Sequence, residues 1–290
     1  MTPTAHTRLA LLLGDPVAHS RSPAIHNAAF RALGIDAVYL ASRVAPEDLG
    51  DAVAGLRALG VLGANVTIPH KQAILPHLDA LTPVAEAIGA VNTVVPQPDG
   101  TLLGTNTDAA GFFEPLRPYA DQLDGADQLN GAEAVVFGAG GAARAVVYAL
   151  LTEVALPRLT LVARSPAKAK ALADDFTDLD PHRILAVRSN DDASAVVRSA
   201  TLLVNATPLG MHGTHEAATP WSNAADFHAE QIAYDLVYTP AETRFLREAA
   251  ARGATALGGI AMLIGQAAEA FRLWTGQTMP EALGFSILDG

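Results

Sequence analysis

The 290-residue chain contains no cysteine. That absence excludes disulfides and thiolate chemistry, and it removes the commonest ligands of structural zinc. Charged residues are also sparse, at 17% against 50% apolar, which is the balance of a folded protein rather than a disordered one. Positive charge is the scarcer sign: 19 Lys and Arg face 30 Asp and Glu, for a net charge of −11. Such a surface repels a phosphate backbone and an anionic membrane alike, so no nucleic-acid partner is expected. No apolar run approaches the ~18 residues of a membrane span, and Leu9 to Leu13 is too short for a signal sequence. A cytoplasmic protein of roughly two domains is the expectation from length and composition.

Short apolar runs alternate with helical stretches, the signature of βα units around a parallel sheet. Candidate strands are Leu9 to Leu13, Ala37 to Ala41, Ala64 to Thr67 and Val91 to Val95. Between them Pro46 to Leu59 reads as a helix, with Leu49, Val53, Leu56 and Leu59 at helical spacing. The polar stretch Glu114 to Gly131 marks the neighbourhood of a domain boundary, with Tyr119 to Leu123 as a short helix within it. A second series follows at Ala134 to Phe137, Leu159 to Val162, Ile184 to Val187, Leu202 to Val204 and Ile232 to Leu236, and an apolar helix spans Gly259 to Thr275.

Residues Val135 to Leu150, VVFGAGGAARAVVYAL, place G-x-G-x-x-A between a buried strand and a helix. Gly138 permits a tight turn, Gly140 lets a pyrophosphate approach the backbone, and Ala143 keeps the helix close to the sheet. The next strand ends in Ala163-Arg164-Ser165-Pro166-Ala167-Lys168, without the carboxylate that NAD-binding chains place there. Arg164 can clamp a 2′-phosphate, Ser165 can donate to it, and Lys168 adds a charge one turn on, which favours NADP.

Four further stretches carry polar groups at strand ends: GDPVAHSRSPAIHN (Gly14 to Asn27), GANVTIPHKQ (Gly63 to Gln72), AVNT (Ala90 to Thr93) and GTNTDAAG (Gly104 to Gly111). Lys71 falls at a helix start, where the helix dipole should favour its neutral form and suit it to proton transfer. Asp108 opens another helix, and N-capping is its default role. In an open parallel sheet, ligands bind beyond the carboxyl ends of the strands. Ser20, Ser22, Thr67, Lys71, Asn92 and Asp108 are all expected on loops there, a set suited to a polyhydroxylated small molecule that exchanges one proton. His19 and His26 lack partners at metal-ligand spacing, His212 and His215 sit in a glycine-rich loop, and no G-x-S-x-G elbow exists, so neither a metal site nor a serine hydrolase is expected. His19 is assigned to bonding its own loop.

The stretches GDPVAHSRSPAIHN, GANVTIPHK, IGAVNT, GTNTDAAG, GAGGAARA, ARSPAK, NATPLGM, YDLVY and GGIAMLIGQAAEAF together resemble the shikimate dehydrogenase family, in family order from Gly14 to Phe271. The resemblance implies an open, mostly parallel α/β substrate domain (1–109, completed by helices in 262–290), a Rossmann-type NADP domain (110–261), and a cleft between. It implies reduction of 3-dehydroshikimate to shikimate with NADPH. By the same resemblance Ser20, Ser22 and Tyr238 hold the substrate carboxylate, Thr67, Asn92, Asp108 and Gln266 meet ring hydroxyls, and Lys71 paired with Asp108 is catalytic. Gly138, Ala139, Gly140, Gly141, Ala142, Ala163, Arg164, Ser165, Lys168, Thr207, Leu236, Gly259 and Met262 match cofactor positions. A homodimer is compatible with it.

Departures from the family pattern are a long Tyr119 to Gln128 segment, Gly258 where a polar residue is frequent, and Pro83 where some relatives carry an acid. Two alternatives stay open: a quinate/shikimate dehydrogenase using NAD, which Arg164 and Ser22 argue against, and a non-catalytic sensor, which the retained Lys71 and Asp108 argue against.

Overall fold

The computed structural model describes residues 2–120, 128–154, 156–177, 179, 184–213, 215–280 and 283–285. Of the long Tyr119 to Gln128 segment, residues 121–127 lie outside these, and Tyr119 itself falls in a helical turn at Arg117–Ala120. The chain divides into two compact units, Met1–Gly111 with Leu263–Gly290, and Phe112–Met262. No helix among the described residues is long and apolar enough to cross a membrane.

The first unit runs β1 (Arg8–Gly14), α1 (Ser22–Ala32), β2 (Ala37–Arg43), α2 (Leu49–Ala58), β3 (Gly63–Val66), α3 (His70–Ala73), β4 (Ala80–Leu81), α4 (Pro83–Ile88), β5 (Thr93–Pro96), β6 (Leu102–Thr105) and α5 (Asp108–Phe113), the last crossing into the second unit. Its sheet has the order β2-β1-β3-β5-β6-β4. β1 pairs in parallel with β2 and β3, and β4 with β6, but β5 runs antiparallel to both β3 and β6. The sheet is therefore mostly, not wholly, parallel.

Leu49, Val53 and Leu56 of α2 form one buried stripe in the core, joined by Leu13, Val66 and Ile74. Leu59, expected on that stripe, is 68% exposed, because the helix ends at Ala58 and Gly60 turns the chain with φ +58°. Pro83 occupies the first position of α4 behind the Thr82 cap, which accepts the Ala85 amide at 3.3 Å, so here proline serves the helix start. His26 is wholly buried, stacked on Tyr39 at 4.4 Å, and burial pushes its imidazole down to about 3. His19, by contrast, is exposed and makes no hydrogen bond among the described residues; the Ser20 amide reaching Val17 O at 3.0 Å closes that turn without it.

The second unit continues with α6 (Arg117–Ala120), β7 (Glu133–Phe137), α7 (Gly141–Glu153), β8 (Arg158–Val162), α8 (Pro166–Asp175), β9 (Ile184–Arg188), α9 (Ser194–Ser199), β10 (Leu202–Asn205), β11 (Ile232–Asp235), α10 (Arg244–Ala250) and β12 (Thr255–Leu257). Helix α11 (Ile260–Thr275) then returns the chain to the first unit. Every pairing in the order β12-β11-β10-β7-β8-β9 is parallel. The order reverses between β7 and β10, which is the switch point of a doubly wound nucleotide-binding sheet.

Trp274 of α11 completes the first unit. Its indole donates to Val94 O at 3.1 Å and covers Gly63, where an added Cβ would lie 2.2 to 2.4 Å from the ring. Glycine is required there by the close approach of the indole.

Candidate active site

β1 and β3 are adjacent and parallel, so the loops that follow them emerge at the same end of the sheet. Backbone hydrogen bonds stitch them together: the Thr67 amide donates to Leu13 O at 2.9 Å and the Asp15 amide to Ile68 O at 2.9 Å. Gly14 makes the contact feasible, since a Cβ there would stand 2.3 Å from Thr67 Cγ2. The loop carrying Ser20 and Ser22 thus adjoins the segment carrying Thr67 and Lys71. Ser20 Oγ accepts the Ser22 amide at 3.2 Å, which leaves the Ser20 hydroxyl proton free for another acceptor.

Asn92 reaches the same end by a different route from the one its sequence suggests. It precedes β5 rather than following a strand, but β5 is antiparallel to β3, so its start lies where β3 ends. β6 is antiparallel to β5 in turn, and Asn106, Thr107 and Asp108 follow its last residue. The structure therefore brings Asn92, Asp108 and Lys71 together. Lys71 Nζ donates to Asp108 Oδ2, and Asn92 Nδ2 donates to Asp108 Oδ1 at 2.7 Å. Both charges are largely withdrawn from water, with side chains 14% and 7% exposed. An isolated charge would be costly there, and the pairing with hydrogen-bond support is what makes the arrangement tenable.

Two readings of these residues change. α3 is a single turn, too short to carry a useful dipole, so it is Asp108 rather than a helix terminus that sets the electrostatic surroundings of Lys71. Asp108 does not act as a cap, because Lys71 and Asn92 take its two oxygens; Asn106 Oδ1 accepts the Asp108 amide at 3.0 Å instead. Gln266 lies half-buried on α11, its amide donating to Leu263 O at 2.8 Å. Among the described residues no three or more His, Asp or Glu side chains gather as a metal would need.

Sequence reasoning missed a polar layer beneath this site. Asn65, Thr93 and Thr107 are all buried and all bonded to one another or to Asn92. The available signal was Asn65 itself, an amide inside a strand whose four residues are all buried.

The second unit holds a separate constellation. Gly138 follows β7 with φ +114°, and a Cβ on it would meet Thr207 Cγ2 at 3.0 Å and Ala206 O at 3.2 Å. Gly140 faces open space and precedes α7 without any side-chain cap, so the first amides of that helix, from Gly141 and Ala142, are available to an anion. Beyond β8, Arg164 and Lys168 are exposed, neither has an ion-pair partner among the described residues, and α8 carries no acid in its first turn. Uncapped amides beside unpaired cations fit the phosphates of a dinucleotide, including a 2′-phosphate. Asn205 Oδ1 accepts from the Thr207 amide and hydroxyl at 3.0 and 2.6 Å, and Asn205 Nδ2 donates to Asp235 Oδ1 at 2.8 Å. Asp235 is fully buried, and burial pushes its carboxyl up to about 6. Leu236, Tyr238, Gly259 and Met262 cluster in sequence around the ends of β11 and β12, and Gly259 lies against Leu236 O, 2.4 Å from where its Cβ would stand.

Residues 12–94 match the family model described as the shikimate dehydrogenase substrate binding domain, and residues 259–283 the shikimate 5′-dehydrogenase C-terminal domain. A shikimate dehydrogenase (NADP(+)) of Salinibacter ruber is 56% identical over 98% of both chains. The shikimate 5-dehydrogenase of Thermus thermophilus, solved in complex with NADP(H) and shikimate, is 41% identical with a TM-score of 0.83, covering 98% of this chain and 99% of that one. A quinate dehydrogenase of Corynebacterium glutamicum in complex with NAD is 33% identical with a TM-score of 0.87, covering 98% and 99%.

Proposed function

The chain belongs to the shikimate dehydrogenase family, and from that premise we propose how its own residues carry out the NADPH-dependent, reversible reduction of 3-dehydroshikimate to shikimate on the route to chorismate and the aromatic amino acids. The observation that carries the mechanism is the buried Lys71–Asp108 pair, held by Asn92 among hydroxyl and amide groups. Bound NADPH supplies the hydride. Lys71 Nζ gives a proton to the oxygen formed from the C3 carbonyl and takes it back in the oxidation direction. Asp108 orients that ammonium and balances its charge. Ser20 and Ser22 bind the substrate carboxylate; Thr67, Asn92, Asp108 and Gln266 bind ring hydroxyls.

We assign substrate binding to the first unit and the dinucleotide to the second, with Gly138 to Ala142 at the pyrophosphate and Ala163 to Lys168 at the 2′-phosphate. Thr207, Leu236, Gly259 and Met262 complete the cofactor contacts. Replacing Arg164 by Ala removes one charge-assisted contact at an exposed position, and KM for NADPH is expected to rise about tenfold while KM for NADH stays put. An unchanged NADPH to NADH preference in that variant would remove Arg164 from cofactor selection.

Initial rates with 3-dehydroshikimate under NADPH and NADH, and in reverse with shikimate and quinate, test the whole reading. Turnover confined to NADPH and shikimate supports it; efficient turnover of quinate with NAD would make this a quinate dehydrogenase, and cofactor binding without turnover would make it a sensor. The proposal extends to a cytoplasmic homodimer without a nucleic-acid partner, the last point supported by the net charge of −11. Sedimentation in the presence of NADPH tests the dimer.

A further inference from the structure

Beneath Asn92 the buried amides and hydroxyls form a directed chain. Tyr39 Oη donates to Asn65 Oδ1 at 2.8 Å. The Asn92 carbonyl can only accept, so the end of the Asn65 amide 3.2 Å from it is Nδ2, which also faces Thr93 Oγ1 at 3.0 Å. The Thr93 hydroxyl accepts from Asn65, and its single proton is directed to Asn92 Oδ1 at 2.9 Å, nearer than the Thr107 hydroxyl at 3.3 Å. The Thr107 amide adds a second donor to Asn92 Oδ1 at 2.8 Å. With its oxygen so occupied, Asn92 must present Nδ2 to Asp108, and Asp108 keeps its other oxygen for Lys71.

The opposite orientation of Asn92 would set its oxygen against the Asp108 carboxylate and its amide nitrogen against two donors. Each donor beneath Asn92 therefore raises the cost of that orientation by the worth of a hydrogen bond, and by more where a buried group is left unpaired. We propose that Asn65 and Thr93 are positioning residues for the Lys71–Asp108 pair, acting through the orientation of the Asn92 amide. Asn65 bonds to Tyr39, Thr93 and the Asn92 backbone but not to Lys71 or Asp108, so its influence on the pair passes through Thr93 and Asn92. The proposal rests on the reading of Lys71 and Asp108 as the proton-transferring pair.

The test compares Thr93→Val, Thr93→Ser and Asn65→Asp with the unmodified enzyme, recording kcat, KM and the pH dependence of kcat/KM, alongside Lys71→Ala. Thr93→Val removes the hydroxyl at nearly constant shape and is expected to lower kcat about tenfold, the worth of one buried hydrogen bond, while Thr93→Ser recovers most of it. Asn65→Asp draws the Thr93 proton away from Asn92 and adds negative charge near the pair, so the pH profile should move to higher pH. A Thr93→Val enzyme with unchanged kcat, a Thr93→Ser enzyme no better than the valine variant, or an unmoved Asn65→Asp profile overturns the proposal. Should the valine variant fail to fold, the Asn65→Asp profile decides. If Lys71→Ala itself keeps its kcat, it is the reading of the pair that falls; if Lys71→Ala is inactive and the Thr93 variants are normal, the positioning role alone falls.

Discussion

Lys71→Ala is expected to lower kcat by about 10²- to 10⁴-fold, the range for removal of a positioned general acid–base group, with a much smaller change in KM for shikimate. The asymmetry follows from timing. The ammonium matters most when negative charge grows on the substrate oxygen, and an interaction that strengthens only there appears in kcat. Lys71→Arg separates proton transfer from charge. A guanidinium can keep the ion pair with Asp108, yet it does not deprotonate in a protein, so the arginine variant should be nearly as slow as the alanine one. Steady-state kinetics in the shikimate-oxidising direction, with NADP binding followed separately, makes the measurement. An arginine variant close to full activity would show that Lys71 contributes charge rather than a proton, and a loss confined to KM would reduce it to a binding group.

The largest expected effect on stability concerns Asp235. Its carboxylate, at the end of β11, accepts from Asn205 Nδ2 at 2.8 Å, the Val237 amide at 2.9 Å and the Thr243 hydroxyl at 2.6 Å. Burial outweighs these bonds and pushes the carboxyl up from 3.8 to about 6. A carboxyl whose pKa is raised on folding favours the protonated folded state. Its contribution is therefore best below about pH 4 and is lost as the pH rises to about 6 and above. At 1.36 kcal/mol per pH unit, the interval from 3.8 to about 6 amounts to about 3 kcal/mol. Asp235→Asn keeps an oxygen for Asn205 and Val237 and turns an amide toward Thr243 Oγ1, which already accepts the Leu246 amide at 3.3 Å. The variant should unfold at a higher urea concentration than the unmodified protein at pH 8, and the two should converge near pH 4. An equal loss at both pH values would mean that hydrogen bonding, not charge, is what Asp235 contributes.

The second unit was the more legible of the two. Its strands are buried on both faces and read as continuous apolar runs, and the glycine turn after β7 has a steric reason that survives translation into sequence. β12 escaped notice because Thr255–Leu257 is three residues long. In the first unit β4, two residues long, was missed for the same reason, and β6 because Leu102 and Leu103 are its only large apolar residues before Gly104 and Thr105. The reversal of β5 was invisible, since alternation of strands and helices suggests parallel order throughout. That reversal is why Asn92 lies at the end of the sheet its sequence suggests, but before a strand instead of after one. The layer of Asn65, Thr93 and Thr107 could not be read from spacing. Those residues meet only through strand pairing and the turn before α5, and singly each looks like an ordinary polar residue in an apolar run.

The seat of Trp274 over Gly63 has a consequence for how the protein is made. The indole closes on Val94, 180 residues upstream, so the sheet of the first unit lacks a core side chain until the chain has been synthesised through Trp274. At the ~5–20 residues per second of translation, that interval is about ten to forty seconds. Residues Phe112–Met262 form a contiguous unit and can fold during the wait. The sheet of the first unit starts before that of the second and is completed after it, and a nascent chain halted before Trp274 would hold a formed second sheet and an uncompleted first one.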